Sequence, residues 1–124
     1  MIAGVGVDMV RIGRMEKSLG SEAFWQRVFG EEERAFLEKL APARRAASAA
    51  ANFAAKEAFL KACGKGLGGF ALADIQVLRA ESGAPCYALR GAAAAHMAEN
   101  GLHASLSLSH EDGLAAAFTV LEKG

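Results

Sequence analysis

Two acidic residues stand in otherwise apolar surroundings, and they are the side chains best suited to metal or phosphate chemistry. Asp8 interrupts the apolar run IAGVGVDMV, residues 2–10, which has the composition of a buried strand. Glu57 lies in a long helical segment, where a projection at about 100° per residue places it on one stripe with four apolar residues. These are Ala46, Ala50, Phe53 and Leu60. A carboxylate among core-facing positions is costly to bury unless it is paired, hydrogen-bonded or bound to a metal.

A shared cation would satisfy both carboxylates, but each also has a simpler explanation. Lys61 follows Glu57 by four residues, so the two could form an ion pair on the helix surface. Asp8 could end its strand and face water. If both side chains meet one ion, two carboxylates without a Cys or His cluster suit a hard, oxygen-preferring cation. Magnesium fits best when phosphate oxygens and water complete its octahedron.

The end of the same helical segment offers a place for phosphate. The sequence GKGLGG, residues 64–69, follows Cys63 and leaves the backbone free to wrap a ligand. Lys56, Lys61 and Lys65 concentrate positive charge around it. It is not a Walker A loop, because it lacks GKS or GKT and follows its helix instead of opening one. Taken alone, the loop is a weak indication.

Two other sets of residues are open to a functional or an incidental interpretation. Arg11, Arg14 and Lys17 recur at helical spacing after the first strand. They form either a solvated helix face or a docking surface for an acidic partner. His110 stands in SHEDG, which we interpret as a hairpin turn, and an exposed turn histidine usually has no function.

The remaining pattern predicts an α+β fold with an antiparallel sheet packed on a long central helix. Helices are expected at residues 11–19, 21–29, 31–40, 43–63 and 92–99, and strands at 2–10, 74–80, 85–89, 103–109 and 114–122. Arg45, Ser48, Asn52 and Lys56 share a polar face of the long helix. The acidic segment GEEER, residues 30–34, puts negative charge in a first helical turn and needs no functional explanation.

Composition indicates one domain, residues 1–124, and excludes several classes of function. Fourteen basic residues balance fourteen acidic ones, so no overall field attracts the chain to nucleic acid or membrane. Cys63 and Cys86 are widely spaced, which argues against a zinc site or a disulfide framework and favours two reduced, buried cysteines. No stretch reaches the length of a membrane span, and the N-terminal run lacks the features of a signal peptide. We expect a cytoplasmic protein.

Four segments in order resemble the holo-acyl-carrier-protein synthases, the small group of the 4′-phosphopantetheinyl transferases. They are GVGVDMVRI (4–12), NFAAKEAFLKACGKG (52–66), DIQVLRAESGAPCYAL (74–89) and SLSLSHEDGLAAAFTV (105–120). The pairing of GxGVD with FAxKEAxxKAxGxG some fifty residues later is highly specific. The resemblance covers nearly the whole chain.

The resemblance implies a role for each candidate residue. Asp8 and Glu57 match the residues that hold Mg²⁺ with the coenzyme A pyrophosphate, and Lys61 matches the lysine that contacts the phosphates and assists the leaving group. His110 matches a histidine near the coenzyme A phosphates. The loop from Lys65 and Gly66 to Gly69 matches the nucleotide-binding segment, and Arg14, with Arg11, matches the basic helix that docks the acidic carrier protein.

The resemblance also implies an activity and an assembly. A serine hydroxyl of apo acyl carrier protein attacks the β-phosphate of coenzyme A, giving holo carrier protein and 3′,5′-ADP in fatty acid biosynthesis. Family members are trimers with active sites between subunits. Asn52 departs from the pattern, because many members carry Arg there. Its phosphate contact is either lost or supplied by Lys56 or Arg45. The alternative function is a non-catalytic module that binds coenzyme A or the carrier protein.

Overall fold

The computed structural model describes residues 1–66 and 68–124 and has the predicted α+β architecture. Its strands are β1 (Ile2–Arg11), β2 (Ile75–Arg79), β3 (Pro85–Leu89), β4 (Leu102–Glu111) and β5 (Leu114–Lys123). Its helices are α1 (Ile12–Ser18), α2 (Glu22–Val28), α3 (Glu31–Glu38), α4 (Pro42–Ala62) and α5 (Gly91–Glu99). A short 3₁₀ turn, Leu72–Asp74, precedes β2. In the described part of the chain, no helix has both the length and the apolar character needed to cross a bilayer.

The strands form two antiparallel sheets, whereas the sequence led us to expect one. The larger sheet has the order β1-β5-β4, and the smaller one pairs β2 with β3. In the larger sheet Asp8 is paired with Ala117, and Ala117 with Leu108, so these three residues share one face. That face packs on α4, because Ala117 is buried in one core cluster with Ala54, Ala55 and Ala58.

A partly buried tyrosine joins the two sheets to the central helix. The Tyr87 hydroxyl on β3 is 2.6 Å from the carbonyl oxygen of Ala55 on α4, to which it donates. The hydroxyl oxygen of Tyr87 also lies 2.6 Å from Thr119 Oγ1 on β5. Burial, the largest cause, raises the pKa of Tyr87 far above its usual value, so the hydroxyl remains protonated. Tyr87 therefore fixes the hairpin, the larger sheet and α4 at one point.

Strand β1 approaches α4 so closely that two of its positions admit only glycine. A Cβ placed on Gly4 would lie 2.0 Å from the carbonyl oxygen of Ala62, and one placed on Gly6 would lie 1.9 Å from that of Ala58. Asp8 is the next residue on the same face of β1. The glycines thus bring the Asp8 end of the strand against the helix that carries Glu57.

Four residues of α4 were predicted to share a polar face, but two of them are buried. Asn52 and Lys56 are completely buried, because α3 and the start of β2 cover them. Glu33, from the acidic first-turn segment GEEER, is also completely buried. The cysteine prediction needs correction as well, since Cys63 is only half-buried and Cys86 is exposed.

Replacing Gly6 with alanine should separate β1 from α4. The new methyl group must displace the Ala58 carbonyl or the strand, so we expect the free energy of unfolding to fall by about 1–3 kcal/mol or more. Gly13→Ala is the matched control, because nothing lies within 4 Å of a Cβ at Gly13. Alanine is also the better helix former there, by up to about 1 kcal/mol. Urea denaturation at one protein concentration measures both; equal midpoints would contradict the close approach.

Candidate active site

Asp8 and Glu57, the two acidic residues in apolar sequence surroundings, line one cavity of about 560 Å³. Asp8 comes from β1 and Glu57 from the last two turns of α4. Burial, followed by the negative charge of Asp8, raises the pKa of Glu57, while Lys61 lowers it. The two carboxylates are thus close enough to repel each other. A cation shared between them would remove that repulsion.

The donor set at this cavity fits a hard divalent cation. Both candidate ligands are carboxylates, which are the ligands that Mg²⁺ prefers. Nowhere in residues 1–66 and 68–124 do three or more His, Cys, Asp or Glu side chains come together as a metal cluster. Two protein ligands leave most of an octahedron to water and substrate oxygens. That arrangement suits a metal bound together with a phosphate.

The ion pair between Glu57 and Lys61, the simpler of the two explanations for Glu57, is not formed in the described residues, because Lys61 turns to β1. Its Nζ donates to the carbonyl oxygen of Val7 at 2.9 Å and to Asp8 Oδ1 at 3.3 Å. Across the described residues the ion pairs are Lys61–Asp8, Lys56–Glu33 and Arg90–Glu32. Glu57 takes part in none of them. Lys61 therefore supplies positive charge at Asp8, on the edge of the cavity.

The other walls of the cavity are basic at one point and largely apolar elsewhere. Arg11 and Arg14 come from the junction of β1 and α1. The rest of the wall is Ser18 together with six apolar residues, namely Met9, Val10, Met15, Phe24, Phe53 and Leu114. The cavity is therefore lined by two acidic residues and two arginines, a combination suited to a phosphate ligand held partly by a metal.

His110 lies apart from the carboxylates. It belongs to β4 and pairs with Ala115, so its assignment to the hairpin turn is wrong. It lines a second cavity of about 240 Å³ with Ser48, Ala51 and Arg79. Ala51 of that cavity and Phe53 of the first are about 200° apart around α4. Within one chain, the body of α4 separates His110 from Asp8 and Glu57.

Lys65 and Gly66 follow the C-terminus of α4, where Gly64 adopts a positive φ of 73°. The Lys65 Nζ lies 5.3 Å from the centroid of the Phe70 ring. Leu67, in the middle of the predicted nucleotide-binding segment, is outside the described residues. The sequence-predicted site residues therefore fall into three places: the carboxylate cavity with Arg11, Arg14 and Lys61, the His110 cavity, and the turn after α4.

Both residues proposed to replace the missing arginine at position 52 are already engaged within the protein. Lys56 Nζ donates to Glu33 Oε1 at 2.6 Å and to the carbonyls of Leu72 and Ile75 at 2.9 and 2.7 Å, which uses all three protons. Arg45 donates to the carbonyls of Leu37, Glu38 and Leu40 at the end of α3. Both side chains hold α3 and β2 on α4 instead.

Glu33 is the important residue that the sequence analysis missed. Its carboxylate accepts hydrogen bonds from Lys56, from the Gly30 amide and from Asn52 Nδ2. Burial is the main cause that raises the pKa of Glu33, and burial also lowers the pKa of Lys56 to about 8. The available signal was its position three residues after Gly30, from which a glutamate can reach back and accept a hydrogen bond from the N-cap amide.

Comparison with known proteins gives consistent similarities over the whole chain. A family model described as the 4′-phosphopantetheinyl transferase superfamily matches residues 4–119. The holo-[acyl-carrier-protein] synthase of Treponema denticola is 42% identical and aligns over 98% of this chain and 99% of its own. The protein of the same name from a Methylobacterium species is 45% identical, over 98% and 95%.

Solved structures of the same kind share the fold. A holo-(acyl-carrier-protein) synthase from Bacillus anthracis, crystallised in complex with CoA (3′,5′-ADP), is 34% identical, has a TM-score of 0.85 and covers 100% of this chain and 99% of its own. The enzyme from Neisseria meningitidis has a TM-score of 0.84 at 33% identity, with coverages of 99% and 100%. The predicted fold class is confirmed.

Removing the buried ammonium should destabilise the protein strongly. Lys56→Met leaves the Glu33 carboxylate buried without a counter-ion, so we expect a loss of about 3–5 kcal/mol in the free energy of unfolding. Adding Glu33→Gln should recover part of that loss, because the remaining group is uncharged. Lys39→Met removes an exposed lysine and should cost no more than about 0.5 kcal/mol. Similar urea midpoints for Lys56→Met and Lys39→Met would refute this account of the pair.

Proposed function

The chain belongs to the 4′-phosphopantetheinyl transferase superfamily, and on that basis we propose that it is a holo-acyl-carrier-protein synthase. It transfers the 4′-phosphopantetheine group from coenzyme A to a serine of apo acyl carrier protein and releases 3′,5′-ADP. The observation that carries the proposal is the meeting of Asp8 and Glu57 in one cavity beside basic side chains. Named relatives over 40% identical across nearly the full length of both chains support the same reaction.

Asp8 and Glu57 would hold a Mg²⁺ ion together with the phosphates of coenzyme A. When bound, the ion neutralises charge on the transferring phosphoryl group and its leaving group. Lys61, with Lys65 and Gly66 beyond the helix, contacts the nucleotide phosphates. The protein itself needs no covalent nucleophile, because phosphoryl transfer depends mainly on positioning and on charge neutralisation. The attacking hydroxyl comes from the carrier protein.

Arg11 and Arg14 are proposed to dock the carrier protein. Both line the cavity that holds the carboxylates, so an acidic helix bound to them would bring its serine to the reacting phosphate. The chain as a whole is neutral, with fourteen residues of each sign. Attraction of an acidic partner therefore depends on this local group of arginines and not on the overall charge.

We place this reaction in the cytoplasm, in the supply of holo carrier protein for fatty acid biosynthesis. Coenzyme A and carrier proteins are its substrates, and no nucleic acid or membrane takes part. The balanced charge supports this placement, as do two cysteines that are unpaired in the described residues.

Intact mass measurement of an apo acyl carrier protein tests the activity directly. Incubation with this protein, coenzyme A and Mg²⁺ should add one phosphopantetheine unit to the carrier, and EDTA should prevent the addition. Asp8→Asn and Glu57→Gln should each lower turnover by at least about a hundredfold while the protein stays folded. Binding of coenzyme A without any mass change, tested on several carrier proteins, would favour the non-catalytic alternative.

The same chain is proposed to act as a homotrimer with sites between subunits. Four large apolar side chains are about half exposed on the outer face of the larger sheet, where Val7 pairs with Phe118 and is flanked by Val5 and Met9. An exposed apolar strip of this kind is typical of a protein interface. His110 lines a different cavity from Asp8 and Glu57 of its own chain, which favours a site that His110 of another copy completes.

Mixing inactive variants tests whether each site is shared. Asp8→Asn and His110→Ala subunits, each with low activity alone, should regain about a quarter of wild-type turnover when mixed at random into trimers, because one interface of every mixed trimer is intact. Asp8→Asn mixed with Glu57→Gln is the matched control and should regain nothing, since those residues serve the same site from the same chain. Equal behaviour of the two mixtures would exclude the shared site.

A further inference from the structure

Lys61 is paired with Asp8, one of the two carboxylates proposed to hold a metal ion. Its ammonium lies 3.3 Å from Asp8 Oδ1 and is anchored by the Val7 carbonyl at 2.9 Å. Glu57, on the same helix one turn earlier, forms no ion pair in the described residues. One of the two candidate metal ligands is therefore already paired with a cation, and the other is free.

A lysine ammonium and a divalent cation at the same carboxylate weaken each other's binding. A metal ligated by Asp8 would stand within a few ångströms of the Lys61 Nζ, so the two positive charges repel each other at short range. The lysine would relieve this repulsion by moving away from Asp8. It can do so, because its side chain is 54% exposed while that of Asp8 is only 22% exposed.

We propose, on the basis of the function proposed above, that Lys61 competes with the divalent cation for Asp8 and keeps the affinity of the free protein for metal low. An anionic ligand in the cavity that attracts the ammonium would release Asp8 and strengthen metal binding. By linkage, the metal would strengthen binding of that anion by the same factor. Lys61 thus makes metal and phosphate bind together instead of separately.

The geometry of β1 limits how far the lysine moves. Lys61 has two partners on neighbouring residues of β1, and only the carboxylate of Asp8 is a metal ligand. Loss of the contact with Asp8 leaves the Val7 carbonyl as an anchor, so the ammonium stays at the edge of the cavity. It is then placed to meet an anion bound there.

Direct titration with Mn²⁺, without coenzyme A, tests this competition. The free Mn²⁺ concentration is followed by electron paramagnetic resonance with wild-type protein, Lys61→Met and Lys61→Gln. Both variants should bind Mn²⁺ about five- to tenfold more tightly, because a nearby positive charge is removed. Lys65→Met is the matched control, since it removes a positive charge whose Nζ lies over Phe70, and its affinity should stay within about twofold of wild type.

The outcomes separate this inference from the proposed function. Unchanged or weaker Mn²⁺ binding by both Lys61 variants, with normal circular dichroism, would overturn the competition even if the wild-type protein modifies apo carrier protein. An equal gain in Lys65→Met would overturn it too, because the effect would then be one of general charge. If wild type binds Mn²⁺ only with 3′,5′-ADP and Lys61→Met binds it alone, the inference holds. Absence of carrier modification would contradict the proposed function, whatever the titration gives.

Discussion

The close contact between β1 and α4 is the constraint on which the candidate active site depends. Two carboxylates that are distant in sequence, Asp8 and Glu57, can share a cavity only if their backbones come within reach of one another. Glycine at positions 4 and 6 allows this, because the carbonyls of Ala62 and Ala58 occupy the space that a side chain would need. The alanines of α4 contribute from the other side, since short side chains let a sheet lie close to a helix.

A second constraint fixes α4 from the opposite direction. Glu33, Lys56 and Asn52 form a buried polar network that joins α3 and β2 to the helix. A buried ion pair gives little net stability compared with well-packed apolar residues, but it tolerates few alternative arrangements. Its value to the protein therefore lies in where it holds α4. With β1 on one side and this network on the other, the position of Glu57 is defined.

The sequence was sufficient to predict the helices and strands. It also singled out the two carboxylates as candidate site residues, because each conflicted with the apolar pattern around it. The sequence did not predict that Asn52 and Lys56 are buried. A helical projection places residues on a face, but it does not tell which elements pack against that face. Glu33 was missed for the same reason: its partner lies 23 residues away. The distance between His110 and Asp8 was equally hidden, because it depends on strand order and on the path of α4. A motif match identifies candidate residues, but the fold is needed to show which of them line the same cavity.

The course of α4 has a consequence for communication between sites. Phe53 and Glu57 on one side of this helix line the carboxylate cavity, and Ser48 and Ala51 on another side line the cavity of His110. A tilt or shift of the helix therefore changes both cavities at once. In the proposed homotrimer the two cavities of one chain belong to different active sites. Each copy of α4 would therefore connect two neighbouring active sites. Binding of a ligand at one site would then change the ligand affinity of the next site, and movement of α4 alone would make binding cooperative.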